Sequence, residues 1–210
     1  MSKIVYDVEV AIDPKEVDGG WENPEGMGFA SAVTYSYVDD QYRFWLGPGN
    51  LNPLIDFLAE NEAITFNGIK FDSRVLLGND RKVSPYGITW IETERMGAIE
   101  QGAWWNNYDI LLEYLRIRFD CADVAEAEKK LGDKTIHDGS FGLNGLAEGT
   151  LGLHKTGHGA KAPILYQNEN YAELLSYNLQ DVRLTKKLYD FIRRYGFLVD
   201  RAGRVIRMKI

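Results

Sequence analysis

Asp7 and Glu9 stand two residues apart in the stretch VYDVEVA. In a strand that spacing turns both carboxylates to one face of a sheet and Val8 and Val10 to the other. Two acids on one face repel each other unless a cation or a shared proton neutralises them. Asp72 follows a short apolar run in ITFNGIKFDSRVL, and Tyr177 and Asp181 are four apart in LLSYNLQDVRLT, hence on one face of a helix. Together Asp7, Glu9, Asp72 and Asp181 are hard oxygen donors of the kind that hold magnesium or manganese, ions that keep waters and substrate phosphate in their coordination shells. Two such ions roughly 4 Å apart clamp the attacking and leaving oxygens of an in-line phosphoryl displacement. No serine, cysteine or histidine arrangement competes as a nucleophile.

Each residue also has a plainer reading. The Asp7/Glu9 face can simply be exposed, and Asp72 can be a helix-capping residue. Tyr177 and Asp181 can be a half-buried tyrosine and a solvated acid, since a second Tyr-x-x-x-Asp occurs at Tyr35 and Asp39. The pair His154 and His158 lies between glycines with no third ligand nearby, which argues against zinc. Lys155 and Lys161 are candidates to contact phosphate but read more simply as ordinary solvated lysines, and Trp104, Trp105 and Tyr108 are candidates to stack bases but read more simply as core aromatics. Nothing in the setting of Asp109 or Asp123 marks them as ligands.

The elements that must position these residues are legible in part. Residues 3–10 alternate as a strand, a Gly-rich loop follows, and 29–38 and 42–46 complete an antiparallel three-stranded meander around the turn at Asp39 and Asp40. Leu51, Leu54, Ile55 and Leu58 recur at helical spacing. Residues 63–66 form a short strand ending at Asn67 and Gly68, and 71–77 resume a helical pattern. The stretch 78–107 shows no clear period, and 108–112 fits either a fifth strand or the start of a helix running to Phe119. Residues 122–131 and 143–151 are helix formers, 151–163 reads as a loop, 171–195 is the strongest helix, and the tail over 196–210 reads as a hairpin extension. Antiparallel strands followed by strands interleaved with helices describe an α/β protein, a mixed five-stranded sheet flanked by helices. No repeat or linker interrupts 1–210, so one domain is expected.

Composition narrows the class. At 210 residues, 45% hydrophobic and 26% charged, the chain suits a globular protein with a full core. No apolar run reaches the length of a membrane span, and the N-terminus enters a strand pattern without a signal segment. The single cysteine, Cys121, fits a reducing compartment, so a cytoplasmic, membrane-free protein is expected. A net charge of −7 argues against a passive nucleic-acid binder but not against a nuclease, whose carboxylates gather at the very site that meets phosphate. From Lys186 to Ile210 eight basic residues stand against two acids, either a solvated face or a phosphate-contacting patch.

In these three stretches the sequence resembles the DEDD exonuclease superfamily, in its tyrosine branch, and most closely the exonuclease domains of family-B DNA polymerases. Asp7 and Glu9 match the first family motif, Asn67, Phe71 and Asp72 the second, and Tyr177 and Asp181 the third, with order, separations and element types in agreement over about residues 3–195. The resemblance implies a ribonuclease H-like fold and two Mg2+ or Mn2+ ions per site. It implies that Asp7, Glu9 and Asp181 hold the first ion, that Asp7 bridges to the second with Asp72 in its outer shell, and that Tyr177 orients the attacking water. Asn67 and Phe71 would contact the terminal nucleotides, Phe71 by stacking or wedging, and Val10 stands where many relatives place a substrate-contacting threonine.

The expectation is therefore a 3′–5′ exonuclease that releases nucleoside 5′-monophosphates from single-stranded or frayed DNA. With the sequence ending at Ile210, it would act alone or with replication or repair partners. The alternatives are the same chemistry on RNA, an inactive nuclease-like binding module, and an unrelated small-molecule α/β enzyme in which the acids do not converge.

Overall fold

The computed structural model of the chain describes residues 2–78, 88–89, 92–95, 98–101, 105–121, 126, 129–130, 140–155 and 159–210. Its central sheet begins with β1 (Lys3–Val10), flanked on one side by β2 (Phe29–Ser36), which pairs antiparallel with both β1 and β3 (Gln41–Leu46). On the other side β1 pairs in parallel with β4 (Glu62–Thr65). The polar, aperiodic stretch 78–107 contributes β5 (Ile88–Thr89), the small antiparallel hairpin β6 (Glu92–Arg95) and β7 (Ala98–Gln101), and the start of β8 (Trp105–Asp109). β8 lies parallel to β4, so β3-β2-β1-β4-β8 is the expected mixed five-stranded sheet. The two-residue β5 adds a short sixth strand at its edge.

Helices cover both faces. On one face α1 (Leu51–Ala59) and α2 (Asp72–Leu77) pack Leu54, Ile55, Leu58, Val75 and Leu76 against Ile4, Tyr6, Val8 and Val10. On the other, α3 (Ile110–Phe119), α4 (Leu143–Leu151) and the 25-residue α6 (Tyr171–Tyr195) enclose Val5, Val33, Tyr35 and Ile64. Each fully buried aliphatic side chain in these layers contributes roughly 1.5–3 kcal/mol relative to exposure. Covered on both sides, β2 is buried at every position. β9 (Phe197–Val199) and β10 (Val205–Arg207) pair antiparallel beside α4.

Two readings of the sequence change. The segment 108–112 is both of its alternatives in succession: β8 ends at Asp109, whose Oδ1 accepts from the amides of Leu111 and Leu112 and so starts α3. The stretch read as a loop through Pro163 contains a 3-10 turn, Gly159–Lys161, that runs into α5 (Ala162–Gln167). Pro163 is accepted there because a first helical turn needs no proline N–H. The helix expected over 122–131 lies largely outside the described residues. Among the described residues no helix is long and apolar enough to cross a membrane.

Candidate metal centre

The site is assembled where β1 outruns its neighbour. Parallel pairing with β4 ends at Val5 and Ile64, which leaves the next backbone groups on that edge of β1 without a strand partner. The amide of Val8 is met instead by Asp72, whose Oδ1 accepts it at 2.7 Å from the first turn of α2. The carboxylate of Asp72 thus joins α2 to β1, accepting from the amide of Val8 and from its own backbone amide. The loop leading into α2 is held by Asp109, which accepts from the amides of Asn67 and Ile69 at 3.0 Å each.

Asp7 and Glu9 project from β1 toward α6, as the alternation predicts, while Val8 and Val10 go to the opposite core. The buried stripe of α6 includes Leu174, Asn178, Asp181, Val182, Thr185, Leu188 and Ile192. Asn178 and Asp181 therefore take core-facing positions where hydrocarbon is the default. One carboxylate oxygen from each of Asp7, Glu9 and Asp181 lies within 4.8 Å of the others. Glu9 and Asp181 are buried and Asp7 half-buried. Asn178 donates from Nδ2 to Asp7 Oδ2 at 2.7 Å. Lys155, on the loop after α4, reaches Asp181 Oδ2 at 2.5 Å with its ammonium 4.8 Å from the centre of the Tyr177 ring. Its own amide is fixed by Asn144 Oδ1 at 2.7 Å.

Burial, and then the negative charge of Asp72, Asp181 and Glu9, pushes the Asp7 carboxyl well above the usual carboxylate range. Burial and then Asp181 do the same to Glu9. Asp181 is raised by burial, against the pull of Lys155. Asp72 is pushed up to about 7, chiefly by burial, with the amide of Val8 opposing. Tyr177 is raised by burial and by the charges of Asp181, Glu9 and Asp7, so its hydroxyl keeps its proton. Three carboxyls facing one ammonium, with Asp72 adding its negative charge, form a cluster short of positive charge, and such a cluster stays protonated or takes cations.

The donors fit a hard divalent cation. All are carboxylate oxygens, three of them converge, and Oδ1 of Asp181 is buried without a hydrogen-bond partner, leaving lone pairs aimed into the cluster. The reading in which the acids do not converge is thereby overturned for Asp7, Glu9 and Asp181. Asp72 stands outside this group of three, one layer behind Val8.

The other residues singled out in the sequence are placed as follows. Asn67 adopts a left-handed backbone, φ 66°, at the end of β4, with its Oδ1 buried and unpaired. Phe71 precedes Asp72 and packs against Trp21 with ring centroids 5.9 Å apart. Val10 is 2% exposed, in the core beside Met27 and Phe29, so its side chain is enclosed by hydrocarbon. His154 is exposed near Glu148, and His158 and Trp104 lie outside the described residues. Three residues that the sequence did not single out for the site belong to the centre or its support: Lys155, expected to be solvated, Asp109, expected to be an ordinary acid, and Asn178. For Asn178 a signal existed, an amide on the apolar stripe of a helix. Lys155 had none, because it sits on a loop among glycines.

The fold and the cluster together define a ribonuclease H-like α/β domain with an acidic centre on its first strand. Among solved structures the chain is similar to the family B DNA polymerase from the hyperthermophilic archaeon Pyrobaculum calidifontis. That likeness has a TM-score of 0.50 and 16% identity over 92% of this chain and 24% of the polymerase. It also aligns with the Phi29 DNA polymerase complexed with primer-template DNA and incoming nucleotides, at a TM-score of 0.44 and 11% identity over 93% of this chain and 31% of that one. The chain thus spans less than a third of the length of either polymerase. No family model matches the sequence, and no curated protein is a detectable relative.

Proposed function

We propose that the chain is a metal-dependent 3′–5′ exonuclease that hydrolyses the terminal phosphodiester of single-stranded or frayed DNA and releases nucleoside 5′-monophosphates. The observation that carries this reading is the convergence of Asp7, Glu9 and Asp181, from one strand and a distant helix, on a common centre in a ribonuclease H-like fold. Asp7, Glu9 and Asp181 would hold one magnesium or manganese ion, and Asp7 would share a second. When bound, the ions supply a lowered water pKa and neutralise the charge developing on the scissile phosphate.

The chain's own groups do the positioning. Asn178 fixes the rotamer of Asp7, so that the remaining oxygen of that carboxylate faces the centre. Asp72 holds the strand backbone between Asp7 and Glu9. Tyr177, kept neutral, is hydrogen-bonded to Asp181 and would turn its hydroxyl to a water or phosphate oxygen once substrate is bound. Lys155 balances part of the negative charge around Asp181 and lies where a phosphate oxygen would approach. Asn67 and Phe71, at the mouth formed by the end of β4 and the start of α2, would contact the last nucleotides.

The test is the degradation of matched end-labelled DNA and RNA oligonucleotides in magnesium, in manganese and in EDTA. The expected outcome is stepwise shortening of DNA from the 3′ end in either metal and none in EDTA. Undiminished cleavage in EDTA would falsify the metal mechanism, and faster loss of the RNA strand would move the substrate assignment to RNA.

A further inference from the structure

The loop from Ala11 to Gly28 leaves β1 directly after Glu9 and Val10 and returns into β2. It is closed at its base by the amides of Ala11 and Ile12 on the carbonyls of Met27 and Gly28. Its three 3-10 turns are held by polar contacts. Asp13 Oδ1 takes the amide of Lys15, Asn23 bonds both the Asp18 carbonyl and the Gly26 amide, and Arg74 of α2 reaches across. Arg74 binds Glu25 with Nε and Nη2 at 2.5 and 2.7 Å, and the carbonyl of Glu22 with Nη2 at 2.9 Å. The loop's shape thus owes little to the large side chain beside Glu22. That side chain is Trp21, and it is 53% exposed.

An indole left half in water gives up much of the burial free energy that would place it in a core. Among the described residues its aromatic neighbour is Phe71, 5.9 Å away and inclined at 41°. A base inserted between two rings needs them parallel and about 7 Å apart, two stacking distances, so this pair does not form a slot. Phe71 packs against the indole at a tilt, and about half of the Trp21 surface stays exposed. A short chain of contacts joins Trp21 to the acidic centre: Trp21 packs on Phe71, Phe71 adjoins Asp72, and Asp72 binds Val8 between Asp7 and Glu9.

We infer that the exposed part of the Trp21 ring is a stacking platform for a base of the single strand whose end is delivered to the acidic centre, held in place by its packing on Phe71 and by the Arg74 clamp on the residues beside it. The inference rests on the nuclease reading above and adds to it a determinant of how the strand end is seated. Stacking is tolerant of sequence, since every base has a π-face, so the platform serves an enzyme that must accept each nucleotide in turn.

The test measures cleavage and, with phosphorothioate-terminated oligonucleotides in magnesium, binding of the full chain to single-stranded DNA. Strands carry one abasic site placed in turn at each of the first few positions from the 3′ end. Trp21→Ala is expected to weaken binding and raise KM about tenfold, and Trp21→Phe to restore most of that loss. At one position the abasic site should weaken binding to the wild type about as much, and have little further effect on Trp21→Ala. A ring that only supports the loop predicts instead that the two losses add at every position. Such additivity, or Trp21→Ala binding like the wild type while the wild type cleaves, overturns the platform and leaves the nuclease reading standing. A wild type that neither binds nor cleaves overturns both.

Discussion

Asp7 combines two pressures in one side chain: burial raises its carboxyl, and three other acids raise it further. Its removal relieves repulsion in the metal-free protein while deleting a proposed ligand. Asp7→Ala is therefore expected to lower cleavage by at least on the order of a hundredfold and to leave the thermal midpoint of the metal-free protein unchanged or higher, as read by circular dichroism. A fall in that midpoint matching the fall in activity would make Asp7 a structural residue. Tyr177 is bound to a different outcome. Its hydroxyl is protonated and its ring lies under the Lys155 ammonium, so Tyr177→Phe keeps the packing and loses one donor. Turnover should drop on the order of a hundredfold with manganese affinity, measured by calorimetric titration, unaltered. Equal loss of metal affinity in both variants would contradict these separate roles.

At the scale of elements the decisive contacts are between pieces far apart in sequence. α4 approaches the β9–β10 hairpin so closely that a Cβ on Gly149 would lie 2.4 Å from the carbonyl oxygen of Asp200 and 2.5 Å from that of Val199. These are backbone atoms and cannot rotate aside. Gly149→Ala should therefore cost roughly 1–3 kcal/mol in chemical denaturation. Because Asn144 of α4 holds the backbone of Lys155, the same variant should weaken metal-dependent cleavage without touching a carboxylate. Unchanged stability would show that the helix slides freely on the hairpin. The helices and strands themselves were mostly visible in the sequence, through period two in 3–10, the β-branched and aromatic content of 29–38 and period 3.6 in 51–58 and 171–195. The short strands described within 78–107 were not, since the sequence there shows no period and each strand is defined by its backbone pairing, β5 with β8 and β6 with β7.

For the whole molecule the acidic centre sets how stability depends on pH. Asp72 titrates near 7 in the folded chain, where an unfolded aspartate titrates near about 3.9. Between those values the folded state holds more protons than the unfolded one. Its stability is thus fullest below the unfolded value and declines as pH climbs toward 7. Asp7, Glu9 and Asp181 are shifted in the same direction and act in the same sense. The expected result is a metal-free thermal midpoint that declines from pH 4 to pH 7 more steeply in the wild type than in Asp72→Asn, whose amide oxygen still accepts from Val8. Magnesium or manganese should raise the midpoint more at pH 7 than at pH 5, because bound cations displace the protons. Identical pH profiles for the two proteins would mean that the carboxyl of Asp72 is not shifted.

The types of the donors, the face of β1 on which Asp7 and Glu9 stand, and the single helical turn between Tyr177 and Asp181 follow from the sequence alone, because side-chain chemistry and the periods of strand and helix are local properties. Convergence is not local. Asn178 meets Asp7 across 171 residues of chain, and Lys155 meets Asp181 only because a loop tethered to α4 passes over α6. Nor does any period reveal that β1 extends past β4 and leaves the amide of Val8 to Asp72, or that Trp21 is left half in water. Those outcomes depend on how layers pack, a sum of many weak contacts between distant segments that only the tertiary structure resolves.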